Sequence, residues 1–380
     1  MIAEYLLPVN NEVVDFKSKL HPLSIGKKIT INGDGQSNLI DFDIALIGLQ
    51  ECRKSNELNK KYIDVNSFRK EFYSLHCGDW NINIIDMGDV VNGEGVSDSY
   101  FAIKTINKLL LEKNIVSFFI GGTQDLTFPL YQAFAEKGEY VNLTSVDNKF
   151  DFGQVKNDFD STSYMSRIIM EKDNKLSHYC NLGFQTFLNS QEEIDLIDKL
   201  QFESHRLGKI NKKIDFIEPI LRYTDLLSID FRSVKSSELN FIHNFPNGFE
   251  SSEICSIARY AGMSDRISCV GVFEVFKNSI SSTLLAQVVW YFIEGFSLRI
   301  TEDPKSENFK GKSYHIDLEN HQIKFYQSDV SQKWWFEIIE ENNNKLSDVS
   351  LCPCGYKDYL EACNGDISDK LLLCLKRNFI

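Results

Sequence analysis

The chain has 380 residues, 43% hydrophobic and 25% charged, and its 28 Phe and 15 Tyr supply enough apolar surface to exclude a disordered chain. A net charge of −13 argues against nucleic-acid binding, which needs clustered Lys and Arg to neutralise phosphates. The opening "MIAEYLLPVNNEVVDF" has no basic region or long apolar run, and the most apolar window, 284–296, is short for a bilayer and carries Gln287 and Glu294, so neither a secretory signal nor a membrane span is expected.

In chain order, strand-like runs alternate with helix-like stretches. "DIALIGL" (43–49) and "NINIIDMGDV" (81–90) flank a predicted helix at 65–75. A helix at 99–114 leads into the strand "IVSFFIGG" (115–122), and a helix at 128–138 ends at Gly138. Further strands are predicted at 140–147, 179–185, 225–231 and 268–275, with a helix at 252–262 between the last two. Beyond about 300, "SYHIDL" and "HQIKFYQ" read as a hairpin before "QKWWFEII" (332–339), and "EENNNKLSD" (340–348) reads as a loop. The adjacent Trp334 and Trp335 fall on opposite faces of that strand, one expected in the core and the other at a subunit interface.

Short, wholly apolar strands alternating with helices indicate a parallel sheet covered on both faces, with ligands at the carboxyl ends of its strands. Polar clusters stand at several of those ends: Asp86 and Asp89, "GGTQD" (121–125), "DNKFD" (147–151), "DFR" (230–232) and Glu274. A single Asp after a strand often does no more than cap the next helix. Their recurrence at end after end points to a site. "FIGGTQDL" lacks the Gly-Lys-Ser/Thr of a phosphate loop.

These clusters, in this order, resemble the ureohydrolase branch of the arginase superfamily. That family carries Gly-Gly-Asp-His, Asp-Ala-His-x-Asp and Ser-x-Asp-x-Asp motifs, and the counterparts here are "GGTQ" (121–124), "DNKFD" (147–151) and "SIDFR" (228–232). Supporting matches are "DMGDV" (86–90), "NGF" (247–249), "GM" (262–263) and "VFEV" (272–275), the last placing Glu274 at the family's Glu. The variant "GGTQDL" with "RYAGMSD" (259–265) is most similar to bacterial formimidoylglutamase-type proteins. The resemblance implies a three-layer α/β/α fold with a mainly parallel central sheet. It implies a single domain over 1–380, with a core at about 43–340, an N-terminal extension at 1–42 and a C-terminal segment at 341–380.

The resemblance also implies two manganese ions held by four Asp and two His, activating a water to attack a guanidino or formimino carbon. Carried over residue by residue, Asp147, Asp151 and Asp230 remain as vestigial ligand positions, while Gln124, Lys149 and Arg232 stand where the family has His, His and Asp. Protonated Lys and Arg have no lone pair for a metal. Two unit charges at ~4 Å interact by roughly 4 kcal/mol at an effective dielectric near 20, so both cations oppose a manganese. The expectation is a salt-bridged plug in which Lys149 and Arg232 neutralise the carboxylates. No metal or other cofactor is then expected, with manganese as the alternative. The family's loop His is missing from 159–168, and Gln185 stands where relatives often have Arg.

The expected function is that of a non-catalytic binding or scaffold protein. The alternatives are a formimidoylglutamase-like hydrolase of a guanidino or formimino C–N bond with an altered site, or a metal-free enzyme with Lys149 or Asp151 as general base. Expected partners are further copies of the chain, another protein or a small molecule, with no nucleic acid or membrane. Nine cysteines without an export signal point to reduced thiols and a cytoplasmic location. Cys352, Cys354 and Cys363 are spaced like the start of a zinc site, but Asn364 stands where a fourth ligand would follow, and packed thiols are the preferred reading.

Overall fold

A computed structural model describes residues 2–33, 39–55, 64–153, 158–211, 213–241, 244–318, 321–339 and 351–379. The expected loop at 340–348 and the turn at 319–320 lie outside the described residues. Among the described residues, ten strands build the main sheet: β1 (Leu6–Leu7), β2 (Thr30–Ile31), β3 (Ile44–Leu49), β4 (Ile84–Val90), β5 (Val116–Gly121), β6 (Val141–Val146), β7 (Leu176–Phe184), β8 (Glu203–Arg206), β9 (Leu226–Asp230) and β10 (Cys269–Phe273). Their order is β1-β4-β3-β5-β10-β9-β6-β7-β8, with β2 also on β4. Every pairing is parallel except β1 with β4.

Alternation along the strands sorts their side chains into two cores. Val116, Phe118 and Ile120 of β5 join the helices Val65–Ser74, Ser251–Met263 and Ser279–Ser297 on one face. Phe119 turns to the other face, against the helices Val96–Glu112 and Thr127–Lys137. The result is a three-layer α/β/α arrangement, as expected. Gly138, at φ 84°, terminates the helix Thr127–Lys137 in the left-handed conformation that glycine tolerates. The apolar window 284–296 lies within the helix Ser279–Ser297. There Gly295 lets the helix Ser251–Met263 approach so closely that an added Cβ would sit 2.1 Å from the Arg259 carbonyl oxygen.

A second, antiparallel sheet follows: β11 (Gly311–Leu318), β12 (His321–Ser328), β13 (Trp334–Ile339) and β14 (Cys352–Cys354). With the helices Tyr356–Cys363 and Asp369–Phe379 it encloses its own hydrophobic cluster. Trp334 packs there against Tyr314 and Tyr359. Trp335 is also buried, its ring covered by the Arg222 guanidinium 4.8 Å from the centroid. The expectation of one tryptophan at a subunit interface is therefore not met: the chain covers both itself.

Candidate functional site

The strand order β5-β10-β9-β6 brings four carboxyl ends side by side. Gln124 follows β5, Glu274 follows β10, Asp230 ends β9 and Asp147 follows β6. Asp151, four residues beyond Asp147, and Arg232, two beyond Asp230, complete the group. Gln124, Asp230 and Glu274 are 0% exposed, Asp147 1%, Asp151 3% and Arg232 8%. The sequence-predicted residues thus converge, with Lys149 half-buried beside them.

Arg232 closes on Asp230. Its Nε donates to Asp230 Oδ2 at 2.7 Å, its Nη2 lies 2.6 Å from the same oxygen, and its backbone N–H donates to Oδ1 at 2.6 Å. Nη2 is also 3.8 Å from Glu274 Oε1. Burial alone would lower the guanidinium pKa, but Asp230, then Glu274 and Asp151, hold it well above its usual value. Both oxygens of Asp230 are thus engaged by one residue.

Lys149 does not share this role. Its backbone N–H donates to Asp147 Oδ1 at 2.9 Å, while among the described residues its ammonium makes no ion pair with a carboxylate. Of the two cations expected to pair with the carboxylates, Arg232 forms ion pairs, and Lys149 acts on Asp151 only through its charge. The reason is local: the turn after β6 spends the Lys149 amide on Asp147 and leaves the side chain only half-buried.

Asp147 and Asp151 carry the remaining imbalance. Asp147 Oδ2 and both Asp151 oxygens are buried with no donor on them. Burial, then the charges of Asp151 and Asp230, raise the Asp147 carboxyl well above its usual range. Burial also pushes Asp151 up, to about 7, against the pull of Arg232. Asp151 sits at φ 54° and Glu274 at φ 57°, a left-handed backbone that non-glycine residues adopt mainly under local constraint.

Gln124 faces inward. Its Nε2 donates to Ser228 Oγ at 2.9 Å and to the Tyr164 hydroxyl at 3.4 Å, and Ser228 Oγ meets Thr127 Oγ1 at 2.6 Å. Its backbone N–H donates to Glu274 Oε1 at 3.1 Å, and the Glu274 N–H donates to the Gly122 carbonyl at 3.0 Å. Among Asp147, Asp151, Asp230 and Glu274, no three residues bring one oxygen each within 4.8 Å of one another.

Neutral amides surround the group. Gln185 and Asn247 exchange hydrogen bonds at 3.0 Å each, Asn148 Nδ2 donates to the Arg232 carbonyl at 3.1 Å, and Asn189 Nδ2 donates to the Asn148 carbonyl at 3.1 Å. Asp86 and Asp89, grouped with the strand-end cluster on sequence, belong elsewhere. Arg69, 1% exposed, donates through Nε to Asp86 Oδ2 at 2.8 Å and holds Asp89 Oδ1 at 2.8 Å, with the Tyr73 hydroxyl on Asp86 at 2.8 Å. Arg69 lies in a helix with no motif around it, so the sequence offered no signal for this network.

The cysteine cluster is not assembled as a metal centre. Cys352 and Cys374 place their sulfurs 3.1 Å apart, Cys354 is buried and Cys363 is exposed. No three of these four sulfurs lie within 4.8 Å of one another.

A family model described as the arginase family matches residues 44–235, the span that carries Gln124, Asp147, Lys149, Asp151, Asp230 and Arg232. No curated protein sequence matches the chain. Among solved structures, the Trypanosoma cruzi formiminoglutamase with Mn2+ superposes with a TM-score of 0.61 at 16% identity, covering 68% of this chain and 95% of that one. The Bacillus subtilis formimidoylglutamase gives 0.62 at 19% identity, covering 72% and 92%. The agmatine ureohydrolase of Thermoplasma volcanium gives 0.57 at 14%, covering 74% and 97%. At these identities the likeness is one of fold.

Proposed function

The chain belongs to the arginase family, and we propose that within it this protein is a non-catalytic member that serves as a binding or scaffold protein. The observation that carries the reading is the Arg232 guanidinium on Asp230, at 2.6–2.7 Å. A manganese pair needs carboxylate oxygens free to bridge it, and here one carboxylate is already bound by a fixed cation. Gln124 turns its amide nitrogen inward, and the remaining oxygens are too dispersed for one ion to touch three of them. The residues present do not fit a dimanganese centre.

A second reading has one observation in its favour. Lys149 makes no ion pair with a carboxylate among the described residues, and it stands beside the buried Asp147 and Asp151. A metal-free enzyme using that amine as a base would need it placed so. Under either reading the protein acts in the cytoplasm, in company with copies of itself or another protein. Among the described residues no helix is long and apolar enough to cross a membrane.

The test is manganese content by mass spectrometry on untagged protein, purified without chelators and dialysed against excess manganese. Less than about 0.1 manganese per chain supports the plugged site. Stoichiometric manganese that disappears in Asp151→Asn would overturn it, and formimino and guanidino substrates would then be assayed.

A further inference from the structure

Away from the strand ends, a second group of ligand-type side chains lies where β7 meets the edge strand β8. Cys180 pairs with Glu203, and Leu182 with His205, in parallel register. Alternate residues share a face, so His178 and Cys180 of β7 project on the same side as Glu203 and His205 of β8. One ligand atom each from Cys180, Glu203 and His205 lies within 4.8 Å of the other two. His205 Nε2 is 2.8 Å from Glu203 Oε1, and His178 Nε2 is 3.4 Å from Glu203 Oε2. Cys180 is 0% exposed, His178 5% and His205 8%, and His205 Nδ1 is buried with no hydrogen-bond partner. Phe216 holds the His205 ring edge-on at 5.1 Å, and Tyr223 lies 5.8 Å from the His178 ring.

We propose that His178, Cys180, Glu203 and His205 form a zinc site, separate from the strand-end group and stapling the edge strand β8 to β7. Four ligands of the Cys, His and carboxylate types complete the usual zinc shell. Zinc bonds of about 2.0–2.3 Å in a tetrahedron separate neighbouring ligand atoms by roughly 3.3–3.8 Å, close to the spacing of Cys180, Glu203 and His205, while His178, 3.4 Å from Glu203 Oε2, stands outside that trio and must turn in as the fourth ligand. The ligand charges also balance the ion's own, the Lys370 charge that acts on Glu203 lying outside that count. The Cys180 thiol loses its proton on binding, and thiolate plus carboxylate offset the ion's double charge while both imidazoles stay neutral. A neutral complex is the kind a buried location tolerates.

The strand-end group offers the opposite case, with a guanidinium fixed on its carboxylate. Lys370, from the helix Asp369–Phe379, does act on Glu203. Burial would raise the Glu203 carboxyl, but Lys370 and the two histidines hold it well below the usual range. Lys370 makes no hydrogen bond to Glu203 among the described residues, so it can stay outside the shell.

Cobalt titration of the full-length, reduced protein tests the site. One equivalent of Co2+ is expected to produce a thiolate-to-cobalt charge-transfer band with the visible bands of four-coordinate cobalt, displaced by equimolar zinc. The band should vanish in Cys180→Ser and persist in Cys354→Ser and Asp151→Asn, which separates this site from the C-terminal thiols and the strand ends. Should Cys180→Ser fail to fold, His205→Gln decides, because loss of an imidazole ligand must weaken binding about tenfold or more. No charge-transfer band in the wild type, a band that survives Cys180→Ser, or unchanged affinity in His205→Gln overturns the proposal.

Discussion

Arg232 and Asp230, two residues apart in the chain, form a ring: the guanidinium takes Oδ2 through Nε at 2.7 Å while the backbone N–H of the same arginine takes Oδ1 at 2.6 Å. Removing the side chain leaves Asp230 buried without its countercharge. Arg232→Ala is expected to cost about 3–5 kcal/mol in denaturant unfolding. Arg232→Lys should recover only part of this, since an ammonium cannot reproduce the fork. An unfolding midpoint unchanged in Arg232→Ala would remove the plug as a stabilising element.

Giving positions 124, 149 and 232 the residue types that the arginase-family motifs carry should admit manganese. The triple variant Gln124→His, Lys149→His, Arg232→Asp is expected to retain stoichiometric manganese after dialysis, whereas the wild type retains less than about a tenth of that. Arg232→Asp alone should do less, because the neutral amide of Gln124 and the cation of Lys149 remain. Failure of the folded triple variant to bind manganese would mean that the backbone, and not these side chains, excludes the metal.

Asp125 sets a pH dependence. Burial pushes its carboxyl up to about 6, although the Thr123 and Tyr100 hydroxyls hydrogen-bond to it, the latter at 2.5 Å. The folded value lies above the unfolded one, so the protonated form favours folding. Stability from this group is therefore full below about pH 4, falls as pH rises to about 6 and stays lost above, by at most roughly 3 kcal/mol. Asp125→Asn, neutral throughout, should reduce the fall of the urea midpoint between pH 4 and pH 6, leaving the part due to Asp147 and Asp151, and exceed the wild type at pH 7. Parallel wild-type and variant curves would contradict the assignment.

Arg69 serves Asp86 and Asp89 together from 1% exposure. Arg69→Ala is expected to destabilise by about 3–5 kcal/mol, and Tyr73→Phe by about 1–2 kcal/mol, since the phenol donates one hydrogen bond to Asp86. The combined variant should lose less than the sum, because both act on one carboxylate. Thermal unfolding of the three variants measures this.

What the sequence by itself determined was local. Apolar runs such as Ile44–Leu49 and Val116–Gly121 declared buried parallel strands, since no charged residue interrupts them. Gly138 declared a helix stop, and the residue types at 124, 149 and 232 departed from the motifs that the chain otherwise resembles. Those signals depend on composition and period over a few residues. Only the tertiary structure decided which charges meet. It assigned Arg232 to Asp230 and left Lys149 without a close ion pair among the described residues. It sent Asp86 to Arg69, matched Gln185 with Asn247, and gathered Cys180, Glu203 and His205 from two strands separated by a helix. The pairings follow from the sheet order β5-β10-β9-β6-β7-β8, which joins segments distant in the chain. A side chain's partner is chosen by burial and geometry at that junction, where a buried charge must find the nearest opposite charge or give up its own.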